Sequence, residues 1–303
     1  MVRYLITALL CLFSLNITEK PYILFLGTDH GLISDTLPSR DVAISPAGDE
    51  IYYCVYTPDY HYSAILYTKF VNDKWTIPVA APFSKDSRYK FTEPAFNSDG
   101  SILYFSSNKP SGRNDEKLNH DIWAVKREGD GWGDPYNIGP PVNTDGGEYF
   151  PSFTSDGSMY FTRNTANEVT SYIYKSAYTE GIFNEPVLLP DEINCGTDRY
   201  NAFVAPDESF VVVPAEGVEK NIYGSNYYIV FRKKEGGWTL PVNMGPKFNT
   251  SPGRGWSFSM SPDLKYVFFM ATKKENGFSH IYWLESDIID ALKEQFGTVQ
   301  NFV

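Results

Sequence analysis

One pattern recurs five times along the 303 residues, at spacings of 51 to 57, and it limits the possible folds to very few. Each copy opens with a tight turn: AISPAG (43–48), AFNSDG (95–100), SFTSDG (152–157), FVAPDE (203–208) and SMSPDL (259–264). An apolar residue precedes each turn, namely Ile44, Phe96, Phe153, Val204 and Met260. A strand-like run follows (EIYYCVY, ILYFSS, MYFTR, FVVVP, YVFFMA), then a polar loop of varying length, then a third run (AILYTKF, DIWAVKR, YIYKSAY, YYIVFRK, HIYWLES). Four copies next carry an aromatic three residues before a proline: Trp75/Pro78, Trp132/Pro135, Phe183/Pro186 and Trp238/Pro241. Three of them end at an asparagine, Asn143, Asn194 or Asn249.

Each unit reads as four short antiparallel strands. A lone meander cannot cover both its faces, but several stacked around an axis can, so the pattern predicts an all-β propeller. Five blades fit the five copies; six would need a degenerate unit within residues 21–40. The fifth copy lacks the aromatic-x-x-Pro strand and ends in SDIIDALKEQF, where Ser286 caps a short C-terminal helix with Ile288, Leu292 and Phe296 on one face. The apolar run PYILFLG (21–27) is then expected to supply the missing outer strand and close the ring.

Residues 1–15, MVRYLITALLCLFSL, place Arg3 before an apolar run too short to span a bilayer. Residues 1–18 are therefore expected to be a signal peptide or N-terminal anchor, and 19–303 a single propeller domain without a transmembrane span. Export places the protein in the periplasm or at the cell surface. Cys54 in a strand and Cys195 in a polar loop are expected to be free thiols. A net charge of −11 argues against nucleic acid as a partner.

Taken together, the stretches SDGSILYFSSNKPSGRNDEKLNHDIW, EYFPSFTSDGSMYF, NAFVAPDESF, FRKKEGGWTLPVNMGPKFNT and SPDLKYVFFMATKKENGFSHIYW resemble the TolB-like, WD-repeat-like β-propellers of exported bacterial proteins. The resemblance covers residues 41–285. It implies a propeller that works outside the cytoplasm. Relatives named for the Tol system bind protein partners.

No contiguous catalytic signature is present. The four histidines, His30, His61, His120 and His280, form no metal-ligand pair, and neither a nucleophile elbow nor a phosphate loop appears. No metal and no cofactor are expected. Asp99, Asp156, Asp207 and Asp263 belong to the tight turns. NTDGGE (143–148) gathers oxygen ligands without the spacing of a calcium loop.

Propeller geometry supplies the site expectation. The connections between blades end where the innermost strands begin, so their last residues should ring the channel mouth. These are Arg40, Glu93, Glu148, Tyr149, Arg199, Tyr200, Arg254 and Trp256, with Asp41 beside them. Loops carrying Arg113, Asn114, His120, Arg163 and Lys220 share that face. Charges of both signs with aromatics suit a polar ligand; the structural alternative is that Glu148, Arg199 and Arg254 bridge the blades. The leading functional expectation is a non-catalytic extracytoplasmic binding or scaffold propeller recognising a protein, peptide or polar ligand. The alternative is a carbohydrate-active enzyme, a glycosidase or lyase, drawing carboxylates such as Glu93, Glu148 and Asp198 from different blades. A close carboxylate pair with one strongly raised pKa would favour the enzyme.

Overall fold

The structure, a computed structural model, describes residues 37–112, 119–165, 170–219, 224–249, 255–272 and 278–297. It is a five-bladed β-propeller. The innermost strands are Ser39–Ile44, Phe91–Phe96, Glu148–Phe153, the split pair Asp198–Arg199 and Phe203–Val204, and Phe258–Met260. Each pairs antiparallel with a second strand, and that with a third, for example Glu50–Tyr56 and Ser63–Val71 in the first blade.

The repeat markers have distinct structural tasks. In the tight turns, Asp99, Asp156, Asp207 and Asp263 each accept a hydrogen bond from the backbone N–H two residues on. The marker aromatics sit in short return segments opposite the end of the third strand: Trp75 faces Phe70, Trp132 faces Arg127, Phe183 faces Tyr178 and Trp238 faces Arg232. The guanidinium groups of Arg127 and Arg232 lie 3.9 Å above the rings of Trp132 and Trp238. The proline then interrupts the ladder, since it has no N–H to donate. Two-residue outer strands follow at Val79–Ala80, Tyr136–Asn137, Val187–Leu188 and Val242–Asn243.

The recurring asparagines clamp the third strands. The Asn143 side chain accepts from Ile122 N (2.9 Å) and donates to Ile122 O (2.8 Å). Asn194 does the same to Ile173 (2.7 and 3.1 Å), and Asn249 to Tyr227 (2.7 and 3.2 Å). In the first blade the Ser84 hydroxyl serves Ile65 instead. An asparagine suits this place because its amide carries a donor and an acceptor side by side.

Five apolar clusters, one per blade interface, hold the ring together. Tyr52 and Ile65 meet Leu103 and Phe105; Tyr104 and Ile122 meet Met159 and Phe161; Tyr160 and Ile173 meet Val204 and Val211. Tyr227 and Ile229 meet Phe258 and Phe269, and Val42 and Tyr53 close the circle on Phe268 and Trp283. The run EIYYCVY lacks polar alternation for this reason: both of its faces pack on neighbouring blades.

The fifth blade has three strands among the described residues, Phe258–Met260, Tyr266–Thr272 and Ser279–Glu285. The helix Asp287–Gly297 follows, and Ile289 and Leu292 bury against the cluster between blades four and five. The run 21–27, expected to complete this blade, lies outside the described residues, as does the segment 1–18. Cys54 and Cys195 are both free and buried. No helix among the described residues is long and apolar enough to cross a membrane.

Candidate active site at the channel mouth

The site is built by three successive residues at equivalent repeat positions, at or just before the start of each inner strand. The first are Ser39, Phe91, Glu148, Arg199 and Gly255; the second Arg40, Thr92, Tyr149, Tyr200 and Trp256; the third Asp41, Glu93, Phe150, Asn201 and Ser257. In three blades the ladder slips here, between Arg40 and Val42, Thr92 and Ala95, and Tyr149 and Ser152. Asp41, Glu93 and Phe150 take positive φ angles of 59°, 60° and 50°. Such bulges turn a strand sharply, and non-glycine residues seldom adopt this backbone region. The bulges lie where residues of several blades converge on the axis.

The result is a funnel of about 300 Å³. Its lining includes Arg40, Glu93, Tyr149, Tyr200, Asn201 and Trp256, together with Asp198, Thr162, Asn164, Thr170 and Ser171. Gly255 leaves room beneath this wall, since a Cβ there would lie 2.3 Å from the Tyr227 ring.

At the floor, one guanidinium joins two carboxylates. Arg40 Nη2 lies 2.9 Å from Glu93 Oε1, and Arg40 Nε lies 2.9 Å from Asp41 Oδ2. Asn201 Nδ2 donates to Glu93 Oε1 (3.1 Å) and the Phe150 N–H to Glu93 Oε2 (2.8 Å). The Asp41 N–H donates to Ser257 Oγ (2.9 Å). This network ties all five blades.

Burial dominates the electrostatics of the floor. Asp41 also borders a narrower axial cavity of about 140 Å³ walled by Phe96, Phe150, Phe153, Phe203, Phe258 and Met260. Burial pushes its carboxyl up to about 7, and the Glu93 charge adds to this against the pull of Arg40. Burial opposes the charge of Arg40 too, but Asp41 and Glu93 outweigh it and hold the guanidinium protonated. Across the funnel, Asp198 Oδ1 accepts from Ser171 N (3.0 Å), Ser171 Oγ (2.8 Å) and Arg199 N (3.0 Å).

The expected ring of residues separates into two groups. Arg40, Glu93, Tyr149, Tyr200 and Trp256 face the funnel together. Glu148 and Arg199 are absent from its lining. Glu148 is buried, accepting from Thr144 N (3.1 Å), Thr144 Oγ1 (2.6 Å) and Arg163 Nε (3.0 Å); burial pushes it up to about 7. Arg199 donates to the carbonyls of Cys195 (3.2 Å), Ser171 (3.0 Å) and Gly196 (2.8 Å) and lies over the Tyr172 ring. Arg254, Arg113, Asn114 and Lys220 lie outside the described residues. His120 stacks on Tyr149 at 5.0 Å, and burial pushes its pKa down to about 3, so it is neutral. Asn201, Thr162, Asn164, Thr170 and Ser171 were not expected. Asn201 was findable as the repeat equivalent of Glu93; the others follow only from three-dimensional placement.

No family model and no curated protein matches the chain. Solved structures do resemble it. An α-L-arabinofuranosidase from Podospora anserina shares 10% identity over 82% of this chain and 90% of its own, with a TM-score of 0.49. The catalytic domain of a GH62 α-L-arabinofuranosidase from Coprinopsis cinerea shares 11% over 83% and 92%, at 0.48. A gluconolactonase from Xanthomonas campestris shares 11% over 82% and 86%, at 0.44. At such identity and TM-score the likeness transfers neither a substrate nor a role. These neighbours are nevertheless named as enzymes, which runs against the expectation of a non-catalytic binding or scaffold propeller. That expectation rested on the missing contiguous motif, and a propeller assembles its polar centre from separate blades, as Asp41, Glu93 and Asp198 do here.

Proposed function

We propose that this protein is a carbohydrate-active enzyme, a glycoside hydrolase centred on the funnel carboxylates. The observation that carries the reading is the pairing of Asp41 and Glu93 on Arg40 at the floor of an aromatic-walled funnel, with Asp198 facing it from the fourth blade. Glycoside hydrolysis needs one carboxyl that gives a proton to the departing glycosidic oxygen and a second that activates the attacking water or adds to the anomeric carbon. Burial pushes Asp41 up to about 7, so it holds its proton into the neutral range, and Glu93 beside it is the member of the pair that faces the funnel. Glu93 and Asp198, the two carboxylates that line the funnel, are assigned these two roles. One water is consumed, its hydroxyl ending on the anomeric carbon and a proton on the leaving sugar. Hydroxyl and amide groups of Thr162, Asn164, Ser171 and Asn201 suit sugar hydroxyls, and Tyr149, Tyr200 and Trp256 suit the C–H faces of sugar rings.

A hydrolase is preferred to a lyase on charge. Elimination beside a uronate carboxylate requires a cation free to neutralise it, and among the described lining residues the one cation, Arg40, is already held by two carboxylates. Reducing-end release from arabinoxylan, arabinan and mixed-linkage glucan tests the reading. Glu93→Gln should lower activity by about 10²- to 10⁴-fold per folded molecule; since it also removes one charge of the buried pair with Arg40, its melting temperature should fall and the comparison is made below it. No release from any of the three polymers, or an unsaturated product from polygalacturonate, would refute it.

The TolB-like character of the repeat and the apolar run behind Arg3 support export to the periplasm or cell surface. Mass spectrometry of natively produced protein should find the chain without its first ~18 residues, or lipid-modified; an intact soluble form starting at Met1 would contradict export.

A further inference from the structure

Aromatic rings continue from the funnel out to the rim of the first blade. Tyr200 and Trp256, on the funnel wall, have centroids 6.2 Å apart. Trp256 lies 6.2 Å from Tyr60, and Tyr60 stacks on Tyr56 at 4.7 Å with planes 16° apart. Tyr60 is 43% exposed, in the loop between the second and third strands. A tyrosine left in water beside a polar pocket invites a binding role.

The loop is built to hold that ring in place. Tyr60 adopts a φ of 57°, in the left-handed region, and its N–H donates to Thr57 O at 2.8 Å. Thr57 N donates to Tyr62 O (3.0 Å), and Asp59 Oδ1 accepts from Thr57 Oγ1 (2.6 Å) and His61 N (3.1 Å). A compact turn thus fixes a strained residue, and such strain concentrates at functional positions.

We propose that Tyr200, Trp256 and Tyr60 form a rail that carries successive units of a neutral glycan chain from the catalytic floor outward, so that the enzyme acts on oligomers and polymers rather than on single sugars. This rests on the glycoside hydrolase reading and names its substrate class. A sugar ring is apolar on its faces and polar at its edge, which matches successive rings, tilted by 50° and 55° to one another, leading out of a pocket lined by hydroxyl and amide groups. The spacing of 6.2 Å is close to the length of one sugar unit along a chain. The lining carries Glu93 and Asp198 against Arg40, itself paired, so a polyuronate would meet repulsion rather than a counter-charge.

Titration calorimetry on the Glu93→Gln protein, with and without Tyr60→Ala, tests the rail using the di- and hexasaccharides of xylan, arabinan and cellulose. Tyr60→Ala should weaken binding of the preferred hexasaccharide by roughly threefold to tenfold, the range for one lost aromatic contact, and leave the disaccharide unchanged. Tyr60→Phe should restore the longer ligand, and hexagalacturonate should bind worst. Equal loss for both lengths, no loss for either, or preference for hexagalacturonate would overturn the rail while turnover of a neutral polymer by the unmodified protein left the hydrolase reading standing. If the unmodified protein neither binds nor cleaves any of these sugars, the hydrolase reading fails, and the rail with it.

Discussion

Raising the pH from about 5 to about 8 should weaken this fold, and replacing Asp41 with asparagine should remove a large part of that dependence. Asp41 ionises near its ordinary 3.8 when the chain is unfolded but at about 7 when folded, because folding buries it beside Glu93 and against an apolar axial cavity. Between those two values the native state keeps a proton that the unfolded chain has released. Stability is therefore greatest below the unfolded value and falls as pH rises through the window, by up to ~1.4 kcal/mol per pH unit for one such group. From 3.8 to about 7 the window is roughly 3 pH units, which makes ionisation of Asp41 cost on the order of 4 kcal/mol. Glu148, raised from 4.5 to about 7 by burial, acts in the same direction, so Asp41→Asn should flatten the profile by about half. Carboxylates whose values are lowered, such as Asp86 beside Arg88, lose their contribution only in stronger acid and do not confuse this range. Urea unfolding at several pH values provides the assay. With a slope of about 3 kcal/mol/M, the midpoint of the unmodified protein should fall by about 1 M or more across the window, and that of Asp41→Asn by distinctly less. Parallel curves for the two proteins, or a midpoint that rises with pH, would refute the reasoning.

Two substitutions examine the framework. Arg199→Ala strips the donors from the buried carbonyls of Cys195, Ser171 and Gly196 and should cost about 3 kcal/mol in thermal unfolding, with little change in substrate affinity. A near-normal melting temperature with lost affinity would instead return Arg199 to the ligand site. Asn194→Ala leaves the Ile173 N–H and the Leu189 carbonyl without their side-chain partner and should cost about 1 to 3 kcal/mol in urea unfolding.

The blades were legible because a propeller repeats its constraints. A turn aspartate, an aromatic before a proline and a clamping asparagine recur at fixed offsets, and each can be matched to one hydrogen bond or packing contact in several blades. The site was legible to about one residue, and that one residue decides function. Glu148 and Arg199 stand one place before Tyr149 and Tyr200, and neighbouring side chains on a strand point to opposite sides. The first pair therefore turns into the blade and its loops, and the second into the funnel. Glu93 stands one place later still, yet it faces the funnel, because the bulge at its positive φ breaks the alternation. Pro94 in FTEPAF, like Pro151 in EYFPSF, marks a break in the ladder because it cannot donate to it, but glutamate has no preference for the left-handed region, so the residue that turns is not announced. Tyr60 was hidden for a different cause. It belongs to none of the repeat markers, and its place beside Trp256 depends on the Thr57–Asp59 turn. Chemistry on this scaffold thus resides where the repeat departs from itself.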